Sequence, residues 1–306
     1  MREVVEFRIP EDNASQYLDP GVGVRVGLAC RKVTVPVTDP IFLRIRQLSD
    51  EFRTRGASFF FGWRIFRSYT KQELDSSDAL LLRPKHVFEP AGEECGTIYV
   101  ESTACEFCGV GATRTTNLIL DGRQMPDPGK LAIAQTIAGE PVVSSRFVEL
   151  FEMHNLRGAD FEPILDRRNP GDSIPDWFEL VFTHARFVVI PPTQAGNDIF
   201  DLDSGADTAL LSDDISHILG TNMSWCDRHG KYKCPRGHTI GLNLISELTV
   251  EGTTDDEWDI ARTEQYVGVR RGLLRPTSLL VISRRLGKLI QHQRMRGMET
   301  EVVHIR

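Results

Sequence analysis

Residues 142–166 and 281–305 follow one pattern in a single unbroken register. Val142-Val143-Ser144 matches Val281-Ile282-Ser283, and Phe147, Leu150 and Phe151 match Leu286, Leu289 and Ile290. Arg157-Gly158 then matches Arg296-Gly297, and Glu162-Pro163-Ile164 matches Glu301-Val302-Val303. Each copy reads as a short strand, a serine N-cap, an apolar helix face, a closing glycine and a returning strand. Every matched pair keeps the offset of Val142 to Val281 without a gap, so the pattern predicts a duplicated strand–helix–strand element. Two copies imply a domain duplication rather than a solenoid. The boundary is expected at Arg167-Arg168-Asn169-Pro170-Gly171-Asp172, which has loop chemistry. The expected fold is therefore α+β with two related halves, residues 1–168 and 169–306. Each half is expected to hold a mixed sheet, one strand–helix–strand unit and knuckle or ribbon elements of a zinc site.

A chain of 306 residues with 41% apolar side chains has ample material for a core. Its net charge of −7 argues against a nucleic-acid coat or a protein of anionic membranes, which rely on a summed positive field. The average hides an asymmetry: Val269 to Arg306 holds nine Arg or Lys against two Glu, so the rest carries about −14. The start, Met1-Arg2-Glu3-Val4, lacks the basic-then-apolar pattern of a secretory signal, and no apolar run reaches the ~20 residues of a membrane helix. The expected location is cytoplasmic, away from the membrane. In that reducing compartment, six cysteines clustered with histidines read as metal ligands rather than as a disulfide framework.

Asp39 and Pro40 open a predicted helix through Ile41, Ile45, Leu48 and Phe52. The aromatic run Phe59 to Phe66 reads as a buried strand, Thr70 and Glu73 as a capping box, and Ala79 to Leu82 and Thr97 to Glu101 as strands. In the second half Asp198, Asp201, Asp203, Asp207, Asp213 and Asp214 form an acidic tract without Lys or Arg. Its spacing departs from a calcium loop, so it reads as an acidic surface suited to a basic partner or to the basic C-terminal segment.

Two clusters carry chemistry. Cys105-x2-Cys108-Gly109 is a zinc knuckle, in which two thiolates reach one ion around a tight turn. The second cluster runs Cys226-x2-His229-x4-Cys234-x3-His238, with Gly230, Pro235 and Gly237 supplying turns. Its four ligands suffice for a self-contained site. The alternative is a site split between the clusters, with Cys234 and His238 joining Cys105 and Cys108; Cys95 is a further candidate for the first knuckle, and Cys30 reads as an ordinary small residue. The expected cofactor is structural zinc. The deaminase pattern fails, because His86-Val87-Phe88-Glu89 puts Glu one residue too far and Ala104 stands where Pro is needed. No phosphate loop or nucleophile elbow occurs, so no catalytic residue is assigned and the motifs favour a binding protein over an enzyme.

The knuckle, followed by Val142-Val143-Ser144-Ser145-Arg146-Phe147-Val148-Glu149-Leu150-Phe151 and Leu156-Arg157-Gly158-Ala159-Asp160-Phe161, resembles the bacterial double-CxxCG motif proteins and the related immunity proteins of polymorphic toxin systems. The resemblance covers about a third of the chain, and its metal residues carry over only at Cys105 and Cys108. It implies a protein that binds and neutralises a cognate toxin. The rival reading is a zinc-ribbon adaptor that holds nucleic acid or a larger complex through Arg270, Arg271, Arg284, Arg285 and Lys288.

Overall fold

A computed structural model describes residues 1–183, 185–196, 199–202, 233–241, 243–252 and 258–306. The fold is mixed α+β, and the chain divides into two compact units. The smaller contains residues 1–73 together with Ile199–Leu202, and the larger contains the rest. The expected boundary at 168/169 falls inside the larger unit. Among the described residues no helix is long and apolar enough to cross a membrane.

The smaller unit starts with β1 (Arg2–Pro10) and α1 (Glu11–Tyr17), then β2 (Val24–Val26), β3 (Cys30–Pro36), α2 (Pro40–Arg53) and β4 (Gly62–Ser68). Its sheet runs β2-β3-β1-β4, antiparallel throughout. The α2 start forms as its sequence dictates: the Ile41 N–H donates to Asp39 Oδ1 at 2.8 Å with Pro40 in the first turn, and Ile45 and Leu48 are buried. The aromatic run differs from expectation. Pairing with β1 begins only at Gly62, while Phe59 and Phe60 precede the strand and enter two separate ring groups, Phe59 with Tyr17 and Phe52, and Phe60 with Phe7 and Phe200. Ring packing there takes the place of strand hydrogen bonds. Thr70 and Glu73 do form the capping box, each side chain bonded to the other's backbone N–H, and α3 (Lys71–Ser76) follows.

The larger unit continues with β5 (Ala79–Pro84), β6 (Val87–Phe88), α4 (Gly92–Cys95), β7 (Tyr99–Val100), β8 (Thr113–Arg114) and β9 (Ile119–Leu120). Next come β10 (Ile133–Thr136), β11 (Pro141–Ser144), α5 (Ser145–Met153), β12 (Ala159–Asp166), β13 (Ser173–Phe182) and β14 (Ala185–Val189). The remaining elements are β15 (Ala195–Gly196), β16 (Asn243–Leu244), β17 (Leu248–Glu251), β18 (Ile260–Val267), β19 (Thr277–Ser283), α6 (Arg284–His292) and β20 (Met298–Ile305). These strands build an open sheet, β6-β10-β11-β13-β12-β9, a closed barrel, β14-β18-β19-β5-β20-β17, and two separate pairs, β7-β8 and β15-β16.

The two orders correspond strand for strand, including direction: the first pair and the last pair are parallel and the three between are antiparallel in both. Ser144 lies opposite Trp177 as Ser283 lies opposite Ala79, and Ala159 lies opposite Phe182 as Met298 lies opposite Pro84. The central strand differs in origin. β13 follows β12 directly, whereas β5 enters the barrel from the start of the unit. The sheets also differ at one seam, since β14 pairs with β17 and closes the barrel, while β6 and β9 form the two edges of the open sheet.

Contacts between the two sheets are reciprocal. Asp259 N–H donates to Arg157 O and Ala132 N–H to Arg296 O, both at 2.8 Å, and Arg146 donates to Gln293 O as Arg285 does to His154 O. Phe147, Leu150 and Phe151 of α5 share one core cluster with Leu286 and Ile290 of α6. Each helix ends in a left-handed residue, Asn155 or Arg294, and a glycine three positions on, Gly158 or Gly297, also has positive φ. A Cβ at Gly158 would lie 1.8 Å from Ile260 O, and one at Gly297 would lie 2.2 Å from Ile133 O. Backbone thus meets backbone where no side chain fits. Gly158→Ala and Gly297→Ala are each expected to destabilise by more than about 2 kcal/mol, measured as urea midpoints. A loss below about 0.5 kcal/mol at either site, the scale of an ordinary surface substitution, would contradict this packing.

Candidate metal centre

Cys105 and Cys108 lie on the connection between β7 and β8, which pair on either side of it. The turn is closed by Gly109 N–H to Cys105 O at 2.8 Å and by Cys105 N–H to Val110 O at 2.7 Å. Gly109 has φ +77°, and a Cβ there would lie 2.4 Å from Arg270 Cβ, so glycine meets both demands. The second turn follows the same plan. Gly237 N–H donates to Cys234 O at 2.7 Å, Cys234 N–H donates to His238 O at 3.0 Å, and Gly237 has φ +83°.

The two turns bring three sulfurs and an imidazole together, with all four ligand atoms within 4.8 Å of one another. His238 Nδ1 lies 3.4 Å from Cys108 Sγ and 3.5 Å from Cys234 Sγ. A tetrahedral ion with Zn–S about 2.3 Å and Zn–N about 2.05 Å requires sulfur–nitrogen edges of about 3.5 Å, and these distances fit it. Cys108 and Cys234 are buried, while Cys105 and His238 are half-buried.

The thiols are held unequally. Burial acts to raise Cys105, but the N–H groups of Phe107 and Cys108 and the thiols of Cys108 and Cys234 outweigh it and hold Cys105 below its ordinary value. Burial, with the neighbouring sulfurs of Cys105 and Cys234, pushes Cys108 well above the ordinary thiol range. The crowding that pushes Cys108 up is the kind of conflict a divalent cation removes by compensating thiolate charge. This donor set can hold a metal ion.

Of the six ligands expected from sequence, the structure joins Cys105, Cys108, Cys234 and His238, the split arrangement. Cys226 and His229 lie outside the described residues, as does most of the acidic tract. Cys95 is not in the cluster; its sulfur lies 4.0 Å from Arg167 Nη1. Cys30 is half-buried at the start of β3.

Arg270 supports the first turn in a way the sequence did not signal. Its N–H donates to Cys108 O at 2.8 Å and its guanidinium grips Glu93 at 2.8 and 2.9 Å. Arg275 bonds Glu93 and Glu101 and lies 3.7 Å over the Tyr99 ring, and Tyr99 donates to Glu140 at 2.6 Å. Nearby Arg114 is paired with Glu179, whose Oε2 is buried without a partner among the described residues. The topologically corresponding positions, Ala195 and Leu244 of the β15–β16 pair and Leu279 and Leu81 of the barrel, fall in an apolar cluster.

Purified full-length protein is expected to carry about one metal equivalent per chain. Metal at a thousandfold over its Kd adds about 4 kcal/mol, so chelation should lower Tm by about 8–16 °C, and Cys108→Ser should abolish that metal dependence. A fully folded protein whose Tm ignores both chelator and added metal would refute the site. A second expectation concerns Glu179, where burial, reinforced by Glu162 and Glu140, raises the carboxyl pKa despite Arg114. Its folded pKa exceeds its unfolded one, so its contribution is complete below about pH 4.3 and is lost as pH rises through the folded value. Urea midpoints followed across pH should lose this component in Glu179→Gln; parallel profiles would refute the shift. Comparison with protein-family models and with curated proteins finds no match, so the site is read from its own chemistry.

Proposed function

We propose that the protein is a zinc-stabilised binding protein made of two related copies, and that it neutralises a cognate bacterial toxin in the cytoplasm. One observation carries the metal part: four protein ligand atoms lie within 4.8 Å of one another, enough to fill a tetrahedral ion without a position for substrate, which is the arrangement of a structural rather than a catalytic ion. Three sulfurs and one nitrogen suit zinc.

The duplication is supported by more than the register of the two strand–helix–strand segments. Ile119 pairs with Leu165 as Thr249 pairs with His304, and Leu120 with Asp166 as Val250 with Ile305. The offset from Ile119 to Thr249 is also the offset from Cys108 to His238. The β7–β8 and β15–β16 pairs match as well, with Thr97 and Thr193 making equivalent bonds to Ile119 and Thr249. On this reading each copy supplies one turn and two ligands, and the ion ties the copies together.

The protein-binding part rests on the resemblance of the β11–α5–β12 segment to the immunity proteins, and on the acidic charge of the chain outside its C-terminal segment. The nucleic-acid rival is weakened by the use of Arg270 and Arg285 in ion pairs with Glu93 and Asp259. Capture of the tagged full-length chain from its native cell is expected to recover one small protein in a stoichiometric complex. Recovery of RNA or DNA whose affinity falls steeply between about 50 and 200 mM salt, on the order of a hundredfold or more, would instead establish the rival.

A further inference from the structure

A cavity of about 1310 Å³ lies beside α6 in the larger unit. Its wall includes Arg284, Arg285, Lys288 and His292 of α6, with His154 after α5 and Trp258 before β18. Hydrogen-bond donors dominate this lining. Among the described residues Arg284 and Lys288 have no ion pair, and both are exposed. Trp258 is 6% exposed, yet its indole N–H has no acceptor among the described residues. The Asp259 carboxylate at the same wall is already engaged by Ser283 Oγ at 2.9 Å, Arg157 N–H at 3.1 Å and Arg285 at 3.4 Å. Asp78 is the other carboxylate of the lining.

Two further observations point the same way. The first turn of α6 carries Arg284 and Arg285 and no acidic residue, so like charge gathers at the positive end of the helix, where an anion is favoured. The matching positions of α5 are Ser145, Arg146, Glu149 and Met153. Only the arginine recurs, and in both helices it donates to a carbonyl of the opposite helix end, Gln293 or His154. The packing therefore needs Arg285 and leaves Arg284, Lys288 and His292 unaccounted for.

We propose that this cavity binds a small phosphate-bearing molecule through Arg284, Lys288 and His292. The site is separate from the metal centre, and it does not depend on the toxin reading. Its comparison with α5 rests on the proposed duplication. Asp255, Asp256 and Glu257 precede Trp258 in sequence and lie outside the described residues.

The test is isothermal titration of the metal-loaded full-length protein with inorganic pyrophosphate at low ionic strength. The variant Arg284→Ser/Lys288→Glu/His292→Met takes the residues found at the matching positions of α5. Pyrophosphate should bind the wild type and lose at least tenfold in affinity in the variant, with Tm and metal content unchanged. Should the triple variant fail to fold, the duplication comparison fails at this face, and Lys288→Glu alone then tests the site. Equal binding to both proteins would overturn the proposal, as would no binding to the wild type. Binding of an acidic peptide but not of pyrophosphate would also overturn it.

Discussion

The larger unit depends on one placement, β5 between β19 and β20. The short segment Ala79 to Pro84 bridges two strands that arrive far later in the chain, and Leu80, Leu81 and Leu82 are all buried there. Without β5 the barrel has two unpaired edges and its interior has no centre. The backbone groups of β19 and β20 would then lack partners, which is costly wherever water is excluded. The open sheet solves the same problem locally with β13. The reciprocal glycine contacts lie where the chain entering each sheet's returning strand meets β18 or β10 of the other sheet.

The candidate metal ligands belong to a second layer of the same architecture. Both turns lie on connections between topologically corresponding strands, β6 to β9 and β14 to β17. Short turns of Cys-x2-Cys and Cys-x3-His cannot complete a tetrahedron alone, and each supplies what the other lacks. Arg270, carried on the connection between β18 and β19, fastens the first turn from behind. Ionic bonds to Glu93 and Glu101 then tie that connection to α4 and to the turn before the knuckle.

Much of this was legible in sequence where chemistry is local. The strand–helix–strand segments, the Asp39 cap, the Thr70 capping box and the Cys105 turn each announce themselves within a short stretch of chain. The choice between a self-contained and a split metal site was open, because spacing within one loop says nothing about distance between loops. The origin of the barrel's central strand was hidden for a related reason: Ala79 to Leu82 reads as a strand, but its partners are set by closure of a sheet far along the chain. Gly109 shows the limit at a single residue. Its place after Cys108 signals a turn, yet the contact that also demands glycine comes from Arg270, on a connection near the other end of the unit.

The placement of β5 also orders events during synthesis. A ribosome adding about 5–20 residues per second needs roughly 10–40 s to pass from β5 to β19. Throughout that interval the open sheet can form, since β10 to β13 are contiguous, while β5 waits with a row of leucines and unpaired backbone groups exposed. Such an edge recruits other chains if it is left unguarded. The barrel is thus the last part of the unit to close, and the nascent chain must be shielded until its final strand emerges.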